Sequence, residues 1–214
     1  MTERKGSRHA RTVFQEHWRE GISDRILNYF VIRIKDMFKD ISYLDSFLTK
    51  AIVELIPHNF FTDSLFLFLS LSGLTVFIWL ILLIVMIAWE EKRHKEFILY
   101  FLLAFLTTSF LVNILIKNIV KRDRPYIVNQ LVTTNCPSDF SFPSGHAAGA
   151  FAGAVVFAYF DKKRRYLYYM IAILIAFSSI YLHCHYLFDA VFGALIGYGV
   201  GKTFLLHVSG RKKI

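Results

Sequence analysis

The sequence lacks several features that would indicate a soluble or modular protein. It contains no internal repeat and no low-complexity linker, and charged residues make up only 19% of its 214 residues. Hydrophobic residues account for 55% and aromatic residues for 17%, which is too apolar for a soluble domain of this size. A single integral membrane domain is therefore the simplest interpretation.

A signal peptide and a rich set of cysteines are also missing. The N-terminal stretch is basic and polar without an apolar core, which is not the pattern of a cleavable signal peptide. The chain has only two cysteines, Cys136 and Cys184. A disulfide between them is geometrically conceivable in an oxidising compartment, but a single pair is weak evidence, and we expect free thiols.

Long apolar runs are what the sequence does contain. Residues 64–88 carry no charge and exceed the ~20 residues that span a hydrocarbon core. The other predicted spans lie at 97–116, 144–160, 166–182 and 186–206.

The predicted fold class follows from these runs. It is all-α, a polytopic membrane helix bundle over residues 61–214 with five transmembrane helices. Residues 1–60 form a basic region in which charged and apolar residues are interleaved, and this predicts amphipathic, interfacial helices. A weak sixth crossing between residues 26 and 60 stays open.

The net charge of +9 is explained by membrane topology and does not call for a nucleic-acid partner. Basic clusters at 90–96, 161–165 and 210–214 fall on one side if the five helices alternate, and the positive-inside rule makes that side cytoplasmic. The loop at 126–143 then faces the exoplasm, the periplasm in a bacterium. The basic N-terminus would prefer the cytoplasm, so the number of crossings stays open.

Two cations stand at the outer end of the second span. Lys117 and Arg124 are seven residues apart, so on one helix, which Pro125 would end, both would project from the same face. An interfacial basic collar is the alternative, although its outer position opposes the charge bias of the loops.

Two further polar groups fall at the same membrane face. In "PSGH" the hydroxyl of Ser144 and the exposed amides at Gly145 would open a helix and form an anion site. In "HYLFD" the carboxylate of Asp189, four residues after His185, can fix the imidazole tautomer so that the other nitrogen acts as a base or nucleophile. We expect His183, two residues earlier, to be structural.

Together these groups predict phosphoryl transfer through a phosphohistidine. The cations and the backbone amides would neutralise the phosphate charge. A metal site is a poorer interpretation, because adjacent cations would repel a divalent ion. We therefore expect no metal and no cofactor.

The order and spacing of these motifs resemble the type 2 phosphatidic acid phosphatase superfamily, over about residues 40–205. The resemblance implies dephosphorylation of lipid phosphates or diphosphates without metal, by a bundle of usually six transmembrane helices with an exoplasmic site. It implies that His185 is the nucleophile, that Asp189 orients it and that His146 protonates the leaving oxygen. The phosphate would be held by Lys117, Arg124, Ser144 and Gly145.

The sequence departs from the family pattern in two places. The third motif ordinarily begins with Ser-Arg, and Ser178-Ser179 stands there in this chain. A serine cannot replace a bidentate, charged phosphate donor, so Lys121 or Arg122 substitutes, or activity is reduced, or the chemistry has shifted. The family's first transmembrane helix is also replaced by the amphipathic segment.

A lipid phosphate phosphatase of the bacterial inner membrane is the function we expect from the sequence. Its substrate would be undecaprenyl diphosphate, a phosphatidyl phosphate or a lipid A phosphate. The alternatives are a phosphotransferase that passes the group from His185 to a hydroxyl acceptor, and a catalytically silent binder of lipid phosphates.

Overall fold

The computed structural model describes residues 40–70, 94–128 and 136–211, together with Trp79, Ile81 and Ile84. The chain divides into two units, Met1–Leu44 and Asp45–Ile214. Residues 40–44, the described part of the first unit, are helical. The second unit contains all the site residues predicted from the sequence.

All regular secondary structure in the described part of the second unit is helical, without β-strands, so the predicted all-α class is confirmed. Helix α1 covers residues 45–54. The remaining elements are α2 (Phe60–Ser70), α3 (His94–Ser109), a π-helix (Phe110–Ile116), α4 (Lys117–Val120), α5 (Pro125–Val128), α6 (Gly145–Phe160), α7 (Arg165–Tyr181) and α8 (Leu187–Arg211).

Two segments of the described chain are long and apolar enough to cross a membrane, Glu96–Ile127 with 32 residues and Leu187–Leu206 with 20 residues. At 1.5 Å per residue, a helix of about 20 residues spans the ~30 Å hydrocarbon core. Helices α2, α6 and α7 are apolar but shorter. The predicted spans at 97–116, 144–160, 166–182 and 186–206 all coincide with observed helices. Most of the predicted span 64–88 lies outside the described residues.

Helices α6 and α8 pack so closely that their backbones are in contact, and this contact positions the site residues at their N-terminal ends. A Cβ added at Gly193 would overlap the carbonyl oxygen of Ser144, and one at Gly197 would overlap that of Ala148. Only glycine allows so close an approach at these two positions. The N-terminal half of α8 is thereby held against the N-terminal part of α6.

The helix that carries Lys117 ends earlier than the sequence suggested. Lys121 adopts the left-handed conformation with φ 51°, and its amide closes the last turn on the carbonyl of Lys117. Arg124 lies beyond this end, in a non-helical stretch before α5. The prediction that both cations project from one helix face is therefore wrong, because the chain leaves the helix three residues before Arg124.

Candidate active site

His185 lies in the short connection between α7 and α8 and is fully buried. Its Nδ1 atom is 3.8 Å from Oδ2 of Asp189 in the first turn of α8. This ion-pair distance is too long for a direct hydrogen bond. The hydroxyl of Ser141 hydrogen-bonds to the same carboxylate oxygen and stands 3.5 Å from Nδ1. Ser141 therefore bridges the two residues that the sequence paired.

The other ring nitrogen of His185 faces Arg124, whose Nη1 lies 3.1 Å from Nε2. A guanidinium can only donate hydrogen bonds, so Nε2 must accept and carry the lone pair. The ring proton then sits on Nδ1, on the side of Ser141 and Asp189. The ring nitrogen predicted to be the nucleophile is thus in contact with the guanidinium.

Arg124 is fully buried and held by several acceptors. Its Nε donates to the carbonyl oxygen of Asp139 at 2.7 Å, and its Nη1 donates to that of Cys184 at 2.8 Å. Its Nη2 donates to Oδ1 of Asp139 at 2.5 Å. The other oxygen of that carboxylate pairs with Nζ of the buried Lys117. The two predicted phosphate-binding cations therefore meet through Asp139.

The "PSGH" motif opens α6 as predicted. Ser144 is the N-cap residue: its side chain accepts from the amide of Ala147, and its own amide donates to the carbonyl oxygen of Asp189 at 2.9 Å. A Cβ at Gly145 would come within 2.7 Å of Oδ1 of Asn113. The rings of His146 and His185 lie 6.3 Å apart between centroids, so both predicted catalytic imidazoles share one site.

The site also contains Arg122, which the sequence analysis gave only as a possible substitute for the missing arginine, and three residues that it did not name, Asp139, Ser141 and Asp45. Asp139 joins the two cations, and Ser141 bridges the histidine and the aspartate. Arg122 contacts Asp189, with Nη1 2.7 Å from Oδ1, and lies 2.7 Å from Oδ2 of Asp45. Arg122 had a signal in the sequence, because it lies in the charged run that begins at Lys117. Asp139, in the outer loop, and Asp45, far away in the sequence, had none.

The positions of the variant third motif contain no cation. The hydroxyls of Ser178 and Ser179 donate to carbonyls of their own helix, at 2.7 and 2.8 Å. The carbonyl of Ser179 accepts the amides of Cys184 and His185. Ser179 thus helps to place His185 through the backbone.

His183 and the two cysteines complete the connection between α7 and α8. His183 is half-buried with φ 58°, and no described hydrogen bond joins its ring to the site. Cys136 and Cys184 form a disulfide with a Cα–Cα distance of 5.3 Å. The expectation of free thiols is therefore wrong. The bond fastens the loop that carries Asp139 to the residue before His185, a proximity that a separation of 48 residues does not reveal in the sequence.

Burial dominates the electrostatics of His185. Removal from water lowers the pKa of its imidazole to about 4, a shift that the carboxylate of Asp189 opposes and the positive charge of Arg124 reinforces. Burial would raise the pKa of Asp139, but the hydrogen bond from Lys117 and the charges of Lys117 and Arg124 outweigh it and hold that pKa below its ordinary value. At neutral pH the histidine is neutral and this aspartate is ionised.

The protonation of His185 can be read directly. Because its pKa is lowered to about 4, the ring should stay neutral above that pH, with the proton on Nδ1. We expect ¹⁵N NMR of labelled histidine in detergent micelles to show, at pH 5 to 6, a neutral ring signal with the proton on Nδ1 that disappears in His185→Ala. A His185 signal that titrates near the ordinary value of about 6.5 would contradict this assignment.

A comparison with known proteins gives a consistent set of relatives. A model described as the PAP2 superfamily matches residues 97–213. The chain is 28% identical over 159 residues to the undecaprenyl-diphosphatase BcrC of Bacillus subtilis, covering 72% of this chain and 79% of that protein. It is 30% identical over 135 residues to the decaprenylphosphoryl-5-phosphoribose phosphatase of Mycobacterium tuberculosis, covering 63% and 74%.

Solved structures of similar fold agree with these relatives. One is a transmembrane PAP2 type phosphatidylglycerolphosphate phosphatase from Bacillus subtilis, with a TM-score of 0.60, 26% identity and coverage of 82% of this chain and 88% of that one. Another is Aquifex aeolicus LpxE, with a TM-score of 0.52, 28% identity and coverage of 72% and 90%.

Proposed function

The chain belongs to the PAP2 superfamily, and from that premise we propose that it removes phosphate from a membrane lipid phosphate or diphosphate, through a phosphohistidine at His185 and without a metal. The observation that carries this proposal is the 3.1 Å contact between Nη1 of Arg124 and Nε2 of His185. A phosphate held by that guanidinium lies beside the lone pair that must attack phosphorus.

The first chemical step uses the groups around this contact. The phosphate oxygens are held by Lys117, Arg124, Ser144 and the amide of Gly145. On the two cations the phosphate takes the place of the carboxylate of Asp139. Nε2 of His185 attacks phosphorus, the bond from phosphorus to the lipid oxygen breaks, and His146 gives that oxygen a proton. Asp189 and Ser141 hold the Nδ1 proton and stabilise the positive charge that develops on the ring.

The second step returns the enzyme to its starting state. His146, now neutral, takes a proton from a water molecule while the oxygen of that water attacks phosphorus. The bond from phosphorus to Nε2 breaks, inorganic phosphate leaves, and His146 is again protonated. Each histidine thus serves both steps, one as nucleophile and leaving group and the other as acid and base.

The substrate class is proposed from the relatives together with the site. Two of them are named for reactions on undecaprenyl diphosphate and on a decaprenylphosphoryl sugar phosphate, and one structural neighbour is named for phosphatidylglycerolphosphate. We place undecaprenyl diphosphate first, followed by a phosphatidyl phosphate and a lipid A phosphate. Release of inorganic phosphate from each of these, with purified protein, tests the proposal.

The same assay separates the alternatives. Release of inorganic phosphate without an added acceptor supports a phosphatase. A phosphorylated product that forms only with an acceptor lipid supports the transferase, and binding of a lipid phosphate without turnover supports the silent binder.

We propose a bacterial inner-membrane location with five transmembrane helices and the site facing the periplasm. The site residues gather at one end of α6, α7 and α8, and "DKKRR" at 161–165 lies at the other end. That arrangement is the one favoured by the positive-inside rule.

Cysteine labelling tests this topology. With a membrane-impermeant maleimide on intact spheroplasts, we expect Gln130→Cys to react and Lys163→Cys to react only after permeabilisation. Both native cysteines are in a disulfide, so the unmodified chain supplies the background control. Labelling at position 163 without labelling at position 130 would show that the true topology is the reverse of the proposed one.

Hydrolysis should continue in excess chelator, because Lys117 and Arg124 supply the charge that a metal would otherwise provide. The described residues contain no group of three or more His, Cys, Asp or Glu side chains placed to hold a metal ion. The measurement is kcat/KM before and after dialysis against EDTA. If EDTA abolishes turnover and one specific metal restores it, the proposal that the reaction needs no metal is refuted.

A further inference from the structure

One face of α1 points at the active site although its residues lie outside the segment 97–213 that matches the family. Asp45, Thr49 and Val53 are spaced by four residues, so they share one face of the helix, and all three are buried. Lys50 and Glu54 are exposed and pair with each other at 3.7 Å. Two polar side chains are thus buried on a helix whose charged residues otherwise face outward.

The buried polar groups cap the helix that carries Asp189. Oγ of Thr49 accepts the amide of Leu187, and Oδ1 of Asp45 accepts the amide of Phe188, each at 2.9 Å. These amides belong to the first turn of α8, where they have no partner within the helix. Helix α1 therefore supplies the N-terminal cap of α8 from a distant part of the chain.

Arg122 extends this contact to the reacting groups. Its Nη1 atom lies 2.7 Å from a carboxylate oxygen of Asp45 and 2.7 Å from one of Asp189. Its guanidinium stacks on the ring of Tyr186, 3.9 Å from the centroid. One guanidinium thus offsets the repulsion between two fully buried carboxylates and fixes the direction in which Asp189 points.

We infer that Asp45 and Arg122 are positioning residues for the reaction, acting through Asp189 on the Nδ1 proton of His185. The carboxylate of Asp189 also accepts hydrogen bonds from the hydroxyl of Ser141 and from the amide of Tyr186, the latter at 3.0 Å. With Arg122 in place, the carboxylate is held from three directions and turned to His185. Residues 45–54 therefore complete an active site whose other proposed residues lie within the matched segment 97–213.

The inference rests on the proposed function, and a double-mutant cycle tests it. The cycle compares wild type, Asp45→Asn, Asp189→Asn and the double variant for release of phosphate from one lipid phosphate. We expect Asp45→Asn to lower kcat by about 10- to 50-fold and to change KM by less than about threefold. In the Asp189→Asn background the same substitution should cost less than about threefold, because its effect passes through Asp189.

Matched variants separate positioning from general stability. Glu54→Gln, on the exposed face of the same helix, should keep the wild-type kcat in both backgrounds. Arg122→Lys keeps a cation between the carboxylates and should retain more activity than Arg122→Gln. If Asp45→Asn does not fold, Arg122→Gln carries the same cycle, because it removes the link and leaves both carboxylates in place.

The outcomes are distinct. The inference would be overturned if the losses from Asp45→Asn and Asp189→Asn multiply in the double variant. It would also be overturned if Glu54→Gln lowers kcat as much as Asp45→Asn does. A wild-type chain that releases no phosphate from any lipid phosphate would refute the proposed function itself.

Discussion

Replacement of His185 by alanine is expected to lower kcat by about four orders of magnitude or more. In the proposed mechanism this substitution removes the nitrogen that forms the covalent bond, and no other described imidazole has its Nε2 in contact with Arg124. The measurement is phosphate release from one lipid phosphate by wild type and variant under saturating substrate. The loss should appear in kcat and much less in KM, because the residues proposed to bind phosphate remain.

His183→Asn is the matched control for this experiment. It replaces a histidine two residues away, and asparagine tolerates the positive φ of 58° found there. The control should keep activity close to that of wild type. Activity retained in His185→Ala, or lost equally in both variants, would show that another residue is the nucleophile.

Arg124→Lys is expected to lower kcat/KM by about 100-fold or more, although the charge is retained. The guanidinium uses separate nitrogens to reach Asp139, the carbonyl of Cys184 and His185. A lysine ammonium cannot satisfy these fixed directions at once, so some buried acceptors would lose their donor.

Arg165→Lys provides the comparison, since Arg165 is an exposed arginine on α7 whose guanidinium contacts its neighbour Tyr166. It should behave as wild type. If Arg124→Lys also kept wild-type kcat/KM, the fixed geometry of the guanidinium would be irrelevant and charge alone would bind the phosphate.

The parts of the fold that the sequence predicted are those with a local signal. The starts predicted from the apolar runs lie within about two residues of the observed starts of α6, α7 and α8. Ser144 was expected at a helix start and is the N-cap of α6. A local pattern suffices in these cases because helix formation and capping depend on residues only a few positions apart.

The parts that were missed depend on residues far apart in the chain. The disulfide links positions 48 residues apart, and the contact of Asp45 with Arg122 leaves no periodic trace in the sequence. Lys117 and Arg124 were correctly expected to meet, but for a wrong reason. The helix that carries Lys117 ends at the left-handed Lys121, before Arg124. The two cations are close because both pair with Asp139, which lies in another loop.

The missing arginine of the third motif is only partly explained by the structure. Arg122, one of the two candidate substitutes, contacts Asp189 and Asp45, whereas Lys121 is exposed. Arg122 therefore brings a cation to the histidine and aspartate pair. Its described ion pairs, both with carboxylates that it orients, favour a positioning role over direct binding of phosphate.

The central claim is the covalent phosphohistidine at His185, and trapping that intermediate tests it most directly. Wild-type protein would be mixed with a ³²P-labelled lipid phosphate, quenched in alkali within milliseconds, digested and mapped by mass spectrometry. We predict an acid-labile phosphate on the peptide that contains His185, formed before the first turnover is complete and missing from His185→Ala. Release of inorganic phosphate in the first turnover with no labelled peptide, or with the label on another residue, would contradict the claim.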